Sequence, residues 1–235
     1  MTERGNRILH IIMAGILLVS MYLLAKEGAV YVNSMQVKTK EKICIVVDAG
    51  HGGADPGKVG INEQMEKDIN LRIAFFLKQF LQAEGIEVVM TREDDQGLYD
   101  ENASNKKVQD MKRRLEIIES SDPILVVSIH QNSYPEEAVR GAQVFYYSTG
   151  EESKYLAETL QTQLKRLDPE NHREAKGNDS YFLLKKTTKP IVIVECGFLS
   201  NREEAEMLST SLYQEKMAWN IYMGVMKYIN TKDQK

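Results

Sequence analysis

The chain alternates between short apolar runs and longer amphipathic stretches. Runs such as ICIVV, ILVVSI and IVIVE are apolar at consecutive positions, as strands buried on both faces of a parallel sheet require. Ile69, Ile73, Leu77 and Phe80 recur at steps of three and four, which indicates the core-facing side of a helix. The pattern predicts a single α/β domain with a mostly parallel central sheet flanked by helices. The predicted strands are Ile43–Val47, Glu87–Thr91, Ile124–Ile129, Ala142–Tyr147, Tyr181–Leu184 and Ile191–Val194, and the predicted helices are Lys67–Ala83, Val108–Glu119, Glu151–Leu167, Glu203–Leu208 and Tyr213–Tyr228.

An apolar segment, ILHIIMAGILLVSMYLLA at residues 8–25, precedes this domain. Its length lies between that of a signal-peptide core and that of a short membrane span. Arg4 and Arg7 precede it, and basic residues in this position favour a cytoplasmic N-terminus with the rest of the chain exported. We therefore expect residues 1–34 to be an apolar helix that acts as signal peptide or membrane anchor, with a polar connector at about 32–41, and residues 35–235 to be an extracytoplasmic domain. A buried N-terminal helix is the alternative.

Composition narrows the choice of partners. The 235 residues carry a net charge of −4 without a basic tract, which argues against a nucleic-acid partner, because binding to the phosphate backbone needs a basic face. The two cysteines, Cys44 and Cys196, both lie in apolar, strand-like runs. An exported chain could pair them, and two buried thiols packed as small apolar groups are the alternative.

The glycine-rich segment after the first strand resembles a phosphate-binding loop, since residues 52–58 fit G-x-x-x-x-G-K. Three residues contradict a nucleotide site. Val59 stands where a Ser or Thr would reach magnesium, Pro56 has no N–H to donate, and Asp55 would place a negative charge beside the phosphates. The glycines would instead allow close approach of backbone or substrate to His51, which lies among them.

Three predicted strands each deliver a side chain capable of metal binding or acid–base chemistry at their carboxyl ends. The first strand ends in Asp48-Ala49-Gly50-His51, the third is followed by His130, and the last by Glu195. Ligands of open α/β sheets bind at this edge. Two histidines with one carboxylate are common ligands of hydrolytic zinc, although each histidine taken singly is more often structural.

The residues leave the third ligand open among Glu63, Glu66 and Asp68. Glu66 stands where a helix begins, so a carboxylate favoured by the helix dipole is the alternative reading. Glu195 ends a run of β-branched residues, where a buried carboxylate is costly unless it is paired or lies beside a metal. It is therefore a candidate general base, with a salt-bridged structural role as the alternative.

Five motifs in order carry a resemblance to a known family. VVDAGHGGADPGKVG, EKDINLRIA, VMTRED, VVSIHQN and VECGFLSNREEAEML lie between about residues 42 and 229 and resemble the zinc-dependent N-acetylmuramoyl-L-alanine amidases of the amidase-3 type. The short catalytic chain without wall-binding repeats, the single apolar segment and the C-terminal sequence resemble the sporulation-specific cortex members of that family.

The resemblance implies one Zn²⁺ held by His51, Glu66 and His130, with Glu195 as the catalytic base. It implies hydrolysis of the peptidoglycan amide between the lactyl group of N-acetylmuramic acid and L-alanine of the stem peptide. In the sporulation branch this is a step towards muramic-δ-lactam in the spore cortex. An accessory activator protein is compatible with this role, and a nucleotide or nucleic-acid partner is not implied.

Substrate-contact candidates are Asn132, beside the second histidine, and the cations Arg92, Arg114, Arg173 and Lys176, because stem peptides carry carboxylates. A structural ion pair is the alternative for each cation. Two other functions stay open at this stage: a zinc exopeptidase acting on free peptides, and a non-catalytic wall-binding protein.

Overall fold

The structure is a computed structural model that describes residues 3–36 and 43–232. The chain divides into two compact units, Met1–Lys42 and Ile43–Lys235. The first unit contains α1 (Glu3–Gln36), so the predicted polar connector is helical as far as Gln36, and the rest of it lies outside the described residues. His10–Gly28 is apolar and exposed and is long enough to cross a membrane, a property that it shares with signal sequences.

The second unit is built on one six-stranded sheet with the order β2-β1-β3-β6-β4-β5. Every neighbouring pair is parallel except β4 and β6, which are antiparallel, so the predicted mostly parallel sheet is confirmed. The strands are β1 (Cys44–Ala49), β2 (Glu87–Met90), β3 (Leu125–Asn132), β4 (Gln143–Tyr146), β5 (Lys176–Gly177) and β6 (Ile191–Phe198).

Helices cover both faces of this sheet, as its continuous apolar strands require. One face packs against α2 (Glu66–Ala83), α4 (Glu151–Leu167) and α7 (Ser211–Lys232), and α6 (Arg202–Leu208) adds Leu208 to that core. The other face packs against α3 (Lys106–Ser120) and α5 (Phe182–Lys186) in a smaller core. Successive side chains of a strand point to opposite faces. Val47 and Val127 therefore enter the larger core, and Val46 and Val126 the smaller one.

One predicted strand is corrected by the fold. Tyr181–Leu184 is not a strand: Tyr181 is the N-cap of α5, and Leu183 and Leu184 are buried within that helix. A short apolar run is compatible with either element, and here packing on the smaller core decides. The two-residue strand β5 was not predicted.

The cysteines are far apart in the sheet. Cys44 begins β1 and Cys196 lies near the carboxyl end of β6, with β3 between these two strands. No disulfide joins them in the described part of the chain. Cys196 is a buried thiol, and burial raises its pKa. Cys196 thus fits the alternative of a buried thiol, whereas Cys44 is only partly buried.

Candidate metal centre and active-site cleft

Strand alternation places the chemical side chains on one face of the sheet. His130 of β3 lies in register with Glu195 of β6. By strand alternation, both side chains lie on the face of the sheet that packs against α3 and α5. His51 comes two residues after β1, in the left-handed backbone conformation at φ 62°. Because a residue other than glycine rarely adopts this conformation, surrounding contacts must hold His51 in place.

His51, Glu66 and His130 converge on one point. Glu66 Oε1 lies 3.2 Å from His51 Nε2 and 3.0 Å from His130 Nδ1, and the possible ligand atoms of all three lie within 4.8 Å of one another. The Glu66 side chain is 2% exposed, whereas the two imidazoles are 20% and 22% exposed. Two imidazoles and one carboxylate at these separations fit a single divalent ion such as Zn²⁺ that keeps an open position towards solvent.

Glu66 is held by donors from three directions. Its Oε1 also accepts from Gln131 N at 3.0 Å and Asn70 Nδ2 at 3.3 Å, and its Oε2 accepts from Lys58 N at 2.8 Å. Glu66 is the first residue of α2, where a carboxylate is favoured by the helix dipole. The other two candidates, Glu63 and Asp68, are both exposed. The choice left open by the residues therefore falls on Glu66.

A second carboxylate orients His51. Asp55 Oδ2 lies 3.0 Å from His51 Nδ1, while His51 Nε2 points to Glu66. A hydrogen bond from Nδ1–H to this carboxylate leaves the Nε2 lone pair available for a metal, as in carboxylate–histidine–metal triads. Asp55 Oδ1 accepts from Gly57 N at 3.1 Å, which fixes the carboxylate itself.

Two glycines make room for these side chains. A Cβ on Gly50 would lie 2.3 Å from the His130 ring, and a Cβ on Gly57 would lie 2.5 Å from Glu66 Oε2 and 2.8 Å from His51 Cδ2. The expectation that the glycines clear space around the site therefore holds for Gly50 and extends to Gly57. Gly53 instead approaches Tyr99, whose hydroxyl would lie 2.5 Å from its Cβ.

The same loop has no backbone donors left for a phosphate at its central positions. Gly52 N donates to Asp55 O, Gly53 N to Asp95 O, Gly57 N to Asp55 Oδ1 and Lys58 N to Glu66 Oε2. A phosphate-binding loop needs these N–H groups free. The geometry thus supports the sequence argument against a nucleotide.

Glu195 is the second carboxylate of the cleft and is only 6% exposed. Its Oε1 accepts from the Tyr181 hydroxyl at 3.3 Å, and its Oε2 is buried without a hydrogen-bond partner among the described residues. A buried carboxylate oxygen in that state is costly unless a further group, such as water or substrate, approaches it. Glu195 is not salt-bridged to a Lys or Arg in the described part of the chain, so the structural alternative lacks its cation.

Charge is distributed unevenly among these groups. Burial opposes ionisation of Glu66, but hydrogen bonds and charge from His130 and His51 outweigh it and hold the Glu66 pKa far below its usual range. Burial disfavours the His130 imidazolium, yet Glu66, Glu195 and Asp48 raise the His130 pKa above its usual value. For Glu195, burial dominates and raises the pKa. The surrounding carboxylates therefore favour the charged form of the His130 imidazole.

A cleft of about 730 Å³ opens above the candidate metal centre. His51, Glu66, His130 and Glu195 lie in its wall, together with Asn132 and Tyr181. Three lysines also line it: Lys58, Lys106 and Lys107. Lys107 is 75% exposed and lies 3.8 Å from Asp55. The cleft thus combines a buried acidic floor with a basic rim.

The cations predicted to contact substrate have other partners. Arg114 is buried, and each of its guanidinium nitrogens donates to an oxygen of the chain itself, including Asp48 Oδ1 at 2.6 Å and His51 O at 2.6 Å. Arg92 is buried and donates to Ala49 O, Gly50 O and Lys67 O. Both arginines therefore hold the start of the glycine-rich loop through hydrogen bonds to its backbone carbonyls.

Arg92, Arg173 and Lys176 lie outside the lining of the cleft, whereas Arg114 is part of it. Arg173 donates to Arg140 O at 2.7 Å and stacks 4.6 Å from the centre of the Phe198 ring. Lys176 is exposed on β5. Arg114 forms the ion pair that the alternative describes, with Asp48 and Asp110, whereas Arg92 and Arg173 are held by hydrogen bonds to backbone carbonyls. Asn132 lies in the cleft wall.

Several supporting residues were not found from the sequence. Asn70 and Gln131 hold Glu66, with Gln131 Nε2 donating to Asn70 Oδ1 at 3.1 Å. The sequence argument used Asp55 only as evidence against a phosphate site, because of its negative charge. One sequence signal was usable for Asp55, because it stands four residues after His51 in a loop dense in glycine.

An α/β sheet with two imidazoles and a carboxylate converging beside a buried second glutamate is the arrangement of a metal-dependent hydrolase. The family model for N-acetylmuramoyl-L-alanine amidase of the amidase-3 type matches residues 45–227. The chain therefore belongs to that family and is an amide hydrolase of this class, and peptidoglycan is the substrate of the class.

Individual relatives agree with this assignment. The chain is 39% identical over 191 residues to the germination-specific N-acetylmuramoyl-L-alanine amidase of Bacillus subtilis (strain 168), with 80% of each chain covered. It matches the CwlD amidase from Clostridioides difficile, solved in complex with the GerS lipoprotein, at TM-score 0.78 and 42% identity over 80% of this chain and 99% of that one. The catalytic domain of CwlV from Bacillus (Paenibacillus) polymyxa var. colistinus matches at TM-score 0.71 and 30% identity, covering 80% and 98%.

Proposed function

We propose that this chain is a zinc-dependent amidase that cleaves the bond between the lactyl group of N-acetylmuramic acid and L-alanine of the stem peptide. His51, Glu66 and His130 would hold one Zn²⁺, and Glu195 would act as the general base. The observation that carries the proposal is the buried Glu195 Oε2, which has no partner among the described residues and lines the same cleft as the three ligands.

The side chains of the cleft suggest a division of roles. When bound, zinc supplies a Lewis acid that polarises the scissile carbonyl and lowers the pKa of water. Glu195 accepts a proton from the attacking water and returns it to the alanine nitrogen as the C–N bond breaks. One water is consumed, and the products are a lactyl carboxylate and a peptide with a free N-terminal alanine. Asp55 keeps His51 in the tautomer that presents Nε2, and Asn70 and Gln131 keep Glu66 oriented.

The basic rim of the cleft supports a substrate that carries carboxylates. Lys58, Lys106 and Lys107 line the cleft at the surface, where they can meet the acidic groups of a stem peptide. Asn132 is proposed as a further substrate contact from the cleft wall. These lysines replace the buried arginines as candidates for carboxylate recognition.

The relatives and α1 support a proposed place of action outside the cytoplasm. Residues 1–34 would act as a signal peptide or membrane anchor, and residues 35–235 would form the catalytic domain on the outer side of the membrane, at the cell wall or spore cortex. The exposed apolar segment His10–Gly28 supports this placement. A relative is named germination-specific, and another was solved with a lipoprotein, so we include in the proposal a step towards muramic-δ-lactam in cortex and an accessory protein.

Digestion of purified peptidoglycan by the full chain with added zinc, followed by mass spectrometry, tests the proposal. The expected products are stem peptides that begin with L-alanine and glycan with intact lactyl groups. Glu195→Gln should bind zinc and release peptide only at a small residual rate, and His51→Ala should lose both zinc binding and activity. Glu203→Gln, at an exposed glutamate on α6, is the matched control and should behave as wild type.

Parallel assays separate the alternatives. Cleavage of free peptides but not of peptidoglycan would favour a zinc exopeptidase and refute the amidase bond assignment. The decisive assay for the other alternative uses zinc-loaded protein, a supplied lipoprotein partner, and both cortex and vegetative peptidoglycan. Binding without cleavage under these conditions would favour a non-catalytic wall-binding protein. Full activity of Glu195→Gln would remove Glu195 from the catalytic role.

A further inference from the structure

The segment between β5 and α5 closes one side of the cleft and carries Tyr181. Its backbone is fixed by Asn178, whose Oδ1 accepts from Ser180 N at 2.8 Å, Ser180 Oγ at 2.8 Å and Tyr181 N at 3.1 Å. Such a turn, closed by an asparagine side chain, is a stable local structure. Tyr181 then serves as N-cap of α5, so the backbone at this position is held from both sides.

The ring of Tyr181 is also fixed. It packs edge-to-face against Phe145, with ring centroids 5.8 Å apart and an interplanar angle of 83°. Phe145 is buried in the smaller core, which also contains Leu183 and Leu184 of α5. An edge-to-face pair anchored in a core leaves the ring little freedom. The phenol hydroxyl is thereby directed at Glu195 Oε1, 3.3 Å away.

The two oxygens of Glu195 have different surroundings because of this contact. Oε1 accepts from Tyr181, and Oε2 is buried in the cleft without a partner among the described residues. A carboxylate that accepts and returns a proton must be held close to its productive geometry, and displacement by an ångström can cost a large factor in rate. Catalytic hydrogen bonds are often long before substrate binds, which agrees with the separation of 3.3 Å.

We infer that Tyr181 is the positioning residue of the general base: its hydroxyl donates to Glu195 Oε1 and so assigns proton transfer to Glu195 Oε2. This inference rests on the proposed role of Glu195. Tyr181 neither gives up nor receives a proton, and the proton moves from water to Oε2 and from Oε2 to the leaving nitrogen. Burial, together with the charge of Glu195, raises the pKa of the Tyr181 phenol, so it remains a donor throughout the neutral range.

Tyr181→Phe tests this role because it removes only the hydroxyl and keeps the ring on Phe145. A hydrogen bond to a charged group corresponds to roughly a tenfold to hundredfold change. We expect kcat on peptidoglycan fragments to fall by that factor, KM to stay within about twofold, and zinc affinity and the unfolding midpoint to match wild type. Tyr146→Phe is the matched control. Tyr146 follows Phe145 in β4, its ring packs on the larger core, and its loss of a hydroxyl should leave the kinetics unchanged.

A double variant distinguishes positioning from direct contact with substrate. In a Glu195→Gln background, whatever residual rate remains should not fall further when Tyr181→Phe is added, since Tyr181 acts through Glu195. A wild-type kcat in Tyr181→Phe, or an additional loss in the double variant, would overturn the inference. If Glu195→Gln itself were fully active, the proposed function of Glu195 would fail first, and that outcome is recognised without any Tyr181 variant.

Discussion

The buried pair of Asp48 and Arg114 allows the scaffold under the site to be tested without a metal. Arg114 Nη1 donates to Asp48 Oδ1 at 2.6 Å, and the two side chains are 2% and 1% exposed. Thr91 Oγ1 donates to the same oxygen at 2.7 Å, and Ser128 Oγ to Oδ2 at 2.5 Å. Burial by itself raises the pKa of Asp48, but Arg114 and the hydrogen bonds outweigh it and lower the pKa from 3.8 to about 2.

This shift converts into folding free energy. One pKa unit corresponds to about 1.4 kcal/mol, so a shift from 3.8 to about 2 contributes about 2.5 kcal/mol at neutral pH. Because the folded pKa is the lower one, the contribution is fully present above the unfolded value and is lost as the pH falls through about 2. Asp48→Asn should therefore destabilise the protein by about 2.5 kcal/mol at neutral pH, and the difference from wild type should shrink in acid.

Fluorescence of Trp219, the only tryptophan of the sequence, reports on unfolding. The centre of its ring lies 5.2 Å from that of Phe80 and 5.0 Å from that of Tyr222. Urea unfolding of the full chain, followed by its fluorescence at several pH values from neutral to about 3, gives the free energy of each variant. Asp122→Asn, at a surface carboxylate that is 82% exposed and paired with Lys189, is the control and should change stability by less than about 1 kcal/mol. An Asp48→Asn protein as stable as wild type at neutral pH, or equally destabilised at every pH, would refute the reasoning.

Three further outcomes are expected at the site. Gly50→Ala should displace the His130 ring, which lies 2.3 Å from the added Cβ, and should lower zinc affinity far more than it lowers the unfolding midpoint; affinity equal to wild type would contradict the close approach. Asp55→Asn should weaken zinc binding by about 10- to 100-fold, measured by chelator competition, and an unchanged affinity would show that His51 needs no oriented partner. Lys107→Gln should raise KM by up to about fivefold for peptidoglycan fragments whose stem peptides carry free carboxylates and leave KM for the amidated fragments unchanged, whereas an equal effect on both would exclude recognition by charge.

Sequence patterns predicted most of the fold because its strands are apolar on both faces. The runs around Val46, Val127 and Val192 have no other stable place than a covered sheet. The pattern ended β6 too early, because Glu195, Cys196 and Gly197 resemble a strand terminus, yet the strand continues to Phe198. Phe198 N donates to Glu204 Oε2 at 2.8 Å, a partner supplied by the following helix that no local pattern contains.

The sequence predicts only those site residues whose positions are determined by the carboxyl ends of the strands. His130 and Glu195 were placed together because adjacent parallel strands end at the same edge, and the register confirms that they are neighbours. Glu66 could not be chosen over Glu63 or Asp68 from spacing alone, since its selection depends on a donor from Gln131 that is distant in sequence and on the path of the loop that brings Lys58 N to it. Residues that act through other residues leave no periodic signal.

The glycine-rich loop explains why a sequence so close to an anion-binding motif forms a candidate cation site. In a phosphate-binding loop the backbone N–H groups are free and point at an anion. Here Asp55 and Glu66 accept from Gly57 N and Lys58 N, which neutralises the local positive potential of the backbone. The remaining oxygens of the same carboxylates face His51, so the loop presents negative charge to the imidazoles. The polarity of the loop is thus set by its two carboxylates and not by its glycines, and replacing either carboxylate should alter cation binding before it alters the path of the backbone.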